Sequence, residues 1–199
     1  PTVEIQENTI KEIIELIEQK ETVVFLDPMH QIHNNENDYC WQEKWKDWTK
    51  QVLANTWRKR INIIWAISVS PFMPTVIITE DNCDREIIKC AFTEIKKDHL
   101  DSKKIHIFLD NAPYNRSYEV QNFAKDIWIV LHYLPPYSPN LNLIERLWKY
   151  FKKQIMKNKY YPTFAEFYEK IIDFFQNIMN HEEDLKKLLT LNFEIIRNY

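Results

Sequence analysis

The 199-residue chain contains no glycine, where average usage of roughly 7% predicts about fourteen. That absence excludes the Gly-rich loops that cradle phosphates, and with them nucleotide hydrolysis of that type. It also hands every turn needing a positive φ to Asn, Asp or a strained residue. Cysteine is scarce: Cys40, Cys83 and Cys90 are odd in number and form no CxxC pair. This argues against a disulfide framework and for buried thiols in a reducing, cytoplasmic compartment. No apolar run approaches the roughly 18 residues of a membrane span, and the opening residues carry no basic-then-apolar signal pattern. Positive charge is not in excess either. Twenty-six Lys and Arg against 29 Asp and Glu give a net charge of −3, which excludes a uniformly basic nucleic-acid coat but not local basic patches. A 45% hydrophobic and 28% charged composition is that of a globular chain, long enough for one domain or one domain with a short appendage.

Periodicity supplies the elements. Ile10, Ile13, Ile14 and Ile17 predict an amphipathic helix from about Asn8 to Lys20. Thr22 to Leu26 is a short apolar strand ending at Asp27, with Pro28 as its stop. Residues 60–70 and 75–79 read as two further strands, and 84–100 as a helix. Ile105 to Leu109 is a second apolar strand, also ending at an aspartate, Asp110, so that Phe-Leu-Asp occurs at both 25–27 and 108–110. A short helix over 117–125 and a strand over 127–133 follow. Pro135, Pro136 and Pro139 then lead into a helix near Asn140, with Ser138 as N-cap and Leu141, Ile144, Trp148, Phe151 and Ile155 as its buried stripe. Thr163 and Glu166 suit a capping box for the next helix, and 181–189 a last charged one. Strands first, then strands alternating with helices, predict a mixed α/β sheet with helices on its faces.

Apolar strands buried on both faces place ligands beyond their carboxyl ends. If the two Phe-Leu-Asp strands are neighbours, Asp27 and Asp110 lie side by side; otherwise each merely caps its own turn. Glu145 flanks the buried stripe of its helix and reaches either the sheet edge or Lys149 at i+4, a surface pair worth a few tenths of a kcal/mol. Three converging carboxylates would repel one another. Their convergence makes sense around divalent cations, and hard oxygen ligands suit Mg²⁺ or Mn²⁺. Two such ions can clamp the attacking and leaving oxygens of a phosphodiester.

The stretches FLD at 25–27, IFLDNAPYNRS at 107–117 and LPPYSPNLNLIERLWKYFKK at 134–153 resemble the catalytic domain of DDE transposases. They are most like the bacterial insertion-sequence branch related to mariner-like elements, in which a separation such as the 34 residues between Asp110 and Glu145 is typical. The resemblance runs from about Val23 to Phe175. It implies a ribonuclease H-like mixed five-stranded sheet flanked by helices, with extra C-terminal helices. It also implies that Asp27, Asp110 and Glu145 are the catalytic acids and hold two ions, Mg²⁺ or Mn²⁺. The implied activity is metal-dependent DNA strand cleavage and strand transfer at element ends and target DNA, by a homodimer or higher assembly at the nucleoid. The implied organisation is an N-terminal helix over 1–20 left from the linker to a DNA-binding region, a catalytic domain over 21–180 and a helical tail over 181–199. The chain opens at Pro1, and a preceding segment is expected.

Three departures stand out. Pro28 follows the first Asp, where relatives commonly carry an acidic residue. The end-reading helix-turn-helix region has no room here. Relatives also tend to have Gly where Trp57 and Trp65 stand, which, with no glycine anywhere, gives the hypothesis that a codon read as glycine in the source appears here as tryptophan. The alternative is that these tryptophans are core. A catalytically degenerate remnant that binds only DNA or itself is therefore the rival to an active enzyme. A two-carboxylate glycoside hydrolase is a third reading.

Secondary roles are assigned more loosely. His30, Asn111 and Asn142 are candidates to support the acids. Arg58, Lys59, Arg60, Asn140, Arg146, Lys149, Lys152 and Lys153 are candidates to meet DNA, against the alternative of solvated helix faces. Trp41, Trp45 and Trp48 suit core packing better than base stacking, and a zinc site from His30, His33, Cys40 and Cys83 matches no familiar spacing.

Overall fold

The structure is a computed structural model and describes residues 1–33 and 59–196. Trp41, Trp45, Trp48, Trp57, Arg58 and Cys40 lie outside the described residues, and the readings that rest on them are left there. Five strands, β1 (Thr22–Ile32), β2 (Arg60–Ser68), β3 (Met73–Thr79), β4 (Ile105–Leu109) and β5 (Ile129–Tyr133), form one sheet in the order β3-β2-β1-β4-β5. The first three are antiparallel, and β1, β4 and β5 run parallel. This is the ribonuclease H-like arrangement that the resemblance implies.

Alternation along the strands divides the interior in two. Val23, Phe25, Ile63, Trp65 and Phe108 face α1 (Val3–Glu18), α4 (Ile144–Ile155), α5 (Phe164–Gln176) and α6 (Glu182–Leu188). Val24, Leu26, Ile64, Ile107 and Leu109 face α2 (Arg85–Asp98) and α3 (Tyr118–Asp126). Four of the helix entries are chemically marked. Thr2, Asp84, Ser117 and Thr163 accept hydrogen bonds from first-turn amides, satisfying donors the helix itself cannot. The Thr163/Glu166 pairing expected as a capping box is present.

Two boundaries differ from the sequence reading. β1 does not stop at Asp27 but runs through Pro28 to Ile32. Its pairing with β4 ends at Phe25, while pairing with β2 continues to Ile32. Among the described residues, the strand therefore has no neighbour on its β4 side beyond Phe25, where a residue lacking N–H is tolerated. The helix carrying Glu145 begins at Ile144, not near Asn140. A 3-10 turn over Pro139–Leu141 precedes it, and Ser138 makes no side-chain cap. Asn142 caps instead, its Oδ1 accepting from the Ile144 amide at 3.3 Å.

The missing glycine shows in the backbone. Lys20, Trp128, Tyr137 and Asn158 have φ of 61°, 64°, 57° and 55°, and only Asn158 is of a type that favours this region. Trp128 sits between α3 and β5 and is 67% exposed, so its side chain gains little from burial. Trp128→Gly is expected to stabilise the chain by about 1 kcal/mol, the left-handed penalty of roughly 1–2 kcal/mol less glycine's greater entropy loss. A rise in the urea midpoint at constant slope checks this.

Candidate metal centre

Phe25 of β1 lies opposite Phe108 of β4, and their rings stack with centroids 5.5 Å apart. Extending that parallel register by two residues sets Asp27 level with Asp110, on the side chain alternation of the same sheet face. Helix α4 packs on this face, its Leu147, Trp148, Phe151 and Ile155 buried in the shared core, and Glu145 in its first turn comes to the same place. Asp27, Asp110 and Glu145 line one cavity of about 340 Å³, together with Asn111, Asn142 and the chain from Leu134 to Pro139. The doublet of aspartates and the glutamate, far apart in sequence, thus share one cleft.

Two of the acids are fixed by neutral donors. The Trp148 indole Nε1–H donates to Asp27 Oδ2 at 2.9 Å. Asn115, fully buried, donates from Nδ2 to Asp110 Oδ1 at 2.7 Å, and the Ala112 amide reaches the same oxygen at 3.1 Å. Sequence reasoning assigned neither Trp148 nor Asn115 to the site. Trp148 was visible only as part of a buried stripe, and the placement of Asn115 five residues past Asp110 was the available signal. Burial pushes the Asp27 carboxyl up to about 7, repulsion from Glu145 and then Asp110 adds to it, and the Trp148 hydrogen bond opposes. Burial also raises Glu145, with Lys149 and Lys152 lowering it in part.

The raised Asp27 has a consequence for stability. Its carboxyl titrates near 3.8 when unperturbed, so between about pH 4 and 7 the folded chain holds a proton that the unfolded chain has released. Stability from this group is full below that window and is lost as pH rises through it. In EDTA, wild type should lose stability relative to Asp27→Asn between these pH values and run parallel to it above. Urea midpoints across the range check the difference.

The supporting residues divide. Asn111 lines the cavity but is held by the Leu134 carbonyl and by Arg116, tying the exit of β4 to the segment before the 3-10 turn. Asn142 lines it as the cap of α4. His30 is not brought there: three residues beyond Asp27 in the same strand, it falls on the opposite face and pairs with Asn62. His33 is also committed elsewhere, stacked on Phe167 with its Nε2 on the Tyr161 carbonyl, and Cys83 packs, as Tyr114 does, against the core on the α2–α3 side of the sheet.

The expected DNA contacts are similarly sorted. Arg146 donates to the carbonyls of Leu188, Thr190 and Asn192 at 3.1, 2.7 and 2.6 Å, so its guanidinium holds the C-terminal segment. Asn140 donates to Gln6 and to the Glu194 carbonyl. Lys59 lies over the Phe164 ring and Arg60 pairs with Asn82. Lys149 and Lys153 are exposed on α4, and Lys149 shares a second cavity with Glu145.

The donor set is chemically suited to a hard divalent cation: carboxylate oxygens only, two of them raised by burial, and a neutral donor on Asp27. Among the described residues no group of three or more His, Cys, Asp or Glu stands close enough to hold one common ion. A Mg²⁺ site needs only one or two carboxylates when phosphate oxygens and water complete it, and Asp27, Asp110 and Glu145 all face one cavity.

Comparison with known proteins fixes the family. The model for DDE superfamily endonucleases matches residues 22–168, a span that contains all three acids. The chain belongs to the DDE superfamily endonucleases. Among solved structures, this DDE chain is similar to the Mos1 strand transfer complex, with a TM-score of 0.66 at 12% identity over 98% of this chain and 62% of that one. The catalytic domain of Mos1 mariner transposase gives a TM-score of 0.60 at 10% identity, over 94% of this chain and 89% of that one. Mos1 paired-end complexes with Mn and with Mg give 0.67 and 0.65 at 12% identity, each over 98% of this chain and 63% of that one. At such identities the likeness establishes the ribonuclease H-like fold. The chain spans less than two thirds of the Mos1 chain in these assemblies. No curated protein matches it. Among the described residues, no helix is long and apolar enough to cross a membrane.

Proposed function

We propose that this chain is a transposase catalytic domain that cleaves DNA strands and transfers them to target DNA, with Asp27, Asp110 and Glu145 as ligands for two Mg²⁺ or Mn²⁺ ions. One observation carries the reading. In a DDE endonuclease chain, three acids from β1, the end of β4 and α4 line a single cavity, and Asp27 is half-buried beside like charges. When bound, the ions neutralise charge on the phosphate and lower the pKa of the attacking hydroxyl. The chain's own residues hold and orient. Asp27 is fixed by Trp148 and Asp110 by Asn115, and Glu145 of α4 lines the cleft together with the segment from Pro135 to Pro139. Water attacks a phosphodiester at the element end and releases a 3′-hydroxyl, which then attacks a phosphodiester of the target, joining the element end to the target's 5′ phosphate and displacing the target strand's own 3′-hydroxyl. Exposed Lys149 and Lys153 suit backbone phosphates. The partners are element ends, target DNA and further copies of the chain, in the cytoplasm at the nucleoid.

The second reading, a remnant without chemistry, draws on the finding that among the described residues no three acids are grouped to hold one ion. Nicking of supercoiled plasmid by the 199-residue chain in Mn²⁺ separates them. Nicking that EDTA abolishes is the expected result, and DNA binding without nicking favours the remnant.

A further inference from the structure

Trp148 has a place in the fold that its role as a core residue does not require. It is 4% exposed, yet its one polar hydrogen is aimed out of the core at Asp27 Oδ2, 2.9 Å away. The ring is packed against two other aromatic rings. It meets Trp65 edge-on with centroids 5.1 Å apart at 73°, and Phe151 at 6.0 Å and 81°. Trp65 is itself fully buried and lies directly across the β1–β2 ladder from Asp27. The carboxylate, the strand beneath it and the donor above it are therefore locked together.

We infer that Trp148 is a positioning residue for Asp27: its indole N–H fixes Oδ2 and leaves Oδ1 to a divalent cation. The inference rests on the metal-dependent reading proposed above and adds to it a residue acting through Asp27. The chemistry of the donor is what suits it to the task. An indole N–H donates only, and carries no charge. Lys or Arg in its place would form an ion pair with Asp27 and compete with the cation, whereas a neutral donor orients the carboxylate without competing. Placement on α4 adds a second effect. Trp148 lies three residues after Glu145, so one helix delivers an acid directly and fixes another through the indole. A small shift of α4 alters both together.

Outer donors of this kind typically contribute 10–100-fold to metal affinity. Trp148→Phe keeps an aromatic ring in the core but removes the N–H. Replacing Trp148 with β-(3-benzothienyl)alanine, in which sulfur takes the place of the indole N–H, removes the donor at nearly constant shape and serves if the Phe variant folds poorly. Mn²⁺ affinity of the 199-residue chain, measured calorimetrically without DNA, should fall about tenfold or more in these variants, with the metal-free melting temperature of the benzothienyl variant near that of wild type. The indole N–H resonance lost in Trp148→Phe should shift when Mg²⁺ is added to wild type. If wild type binds Mn²⁺ and the benzothienyl variant binds it equally well, the positioning role is overturned while the metal-dependent reading stands. If wild type binds no Mn²⁺, the metal-dependent reading falls and takes this inference with it.

Discussion

Asp110→Asn is expected to reduce Mn²⁺-dependent nicking of DNA by on the order of 10³-fold, the scale on which removing a group that stabilises transition-state charge acts. The substitution is nearly isosteric. An amide oxygen can still accept from Asn115 Nδ2 and the Ala112 amide, which reach Asp110 at 2.7 and 3.1 Å, so the turn after β4 should keep its shape. What is lost is a negative charge beside Asp27, whose carboxyl is raised in part by Asp110. Metal-free stability should therefore hold or rise slightly while activity and Mn²⁺ binding fall together. That combination distinguishes a ligand from a structural residue, whose loss would lower stability first. Asp101→Asn, at an exposed turn, should leave all three quantities unchanged. Retained nicking in Asp110→Asn, with normal folding, would count against the assignment of this acid.

The second large effect concerns Trp65. Trp65→Ala should cost about 3–5 kcal/mol in urea unfolding, the range for emptying a buried aromatic site. Its ring is 0% exposed and meets Trp148 and Phe175 edge-on, at 5.1 Å and 5.2 Å between centroids. Helices α4 and α5 rest on β2 through these contacts. Among the described residues its Nε1 has no hydrogen-bond partner, a local cost of about 1–3 kcal/mol for a buried donor. Trp65→Phe should therefore recover much of what Trp65→Ala loses, since it keeps a ring and removes the orphan. Trp65→Gly bears on the hypothesis that this position is a recoded glycine. A backbone fitted to glycine would make the change neutral or stabilising, and the packing seen here makes it at least as costly as Ala. A neutral Trp65→Gly would show that the core is built for a smaller residue. Trp128 is the opposite case, since its backbone has the glycine-like φ and its side chain has little contact to lose.

The contrast between Trp65 and Trp128 shows where a sequence can be read and where it cannot. Among the described residues, apolar periodicity placed the five strands and six α-helices, because burial of one face against another is a local pattern with a global cause. The adjacency of Asp27 and Asp110 was legible as a condition on strand order, and the parallel β1–β4 pairing meets it. The strand stop at Pro28 was misread because proline's effect depends on whether a neighbour needs its N–H. That depends on where β4 ends, which no local pattern records. His30 was placed beside the acids by sequence distance, while the pleat sends it to the other face. Arg146 looked like a phosphate contact beside Glu145. Its partners are main-chain carbonyls more than forty residues downstream, a pairing set by the path of the C-terminal segment. Trp148 and Asn115 were missed for a related reason: a positioning residue is defined by the atom it touches, and both touch atoms of distant or turned segments.

The central claim is that Asp27, Asp110 and Glu145 together bind the catalytic cations. Anomalous diffraction from crystals of this chain grown with Mn²⁺, recorded near the manganese edge, tests it most directly. Density for Mn²⁺ in the cavity between β1, β4 and α4, with oxygens of the three acids at about 2.0–2.3 Å by analogy with hard divalent cations, is the result predicted. Mn²⁺ located elsewhere, or three acids still apart with no ion between them at saturating metal, would contradict it.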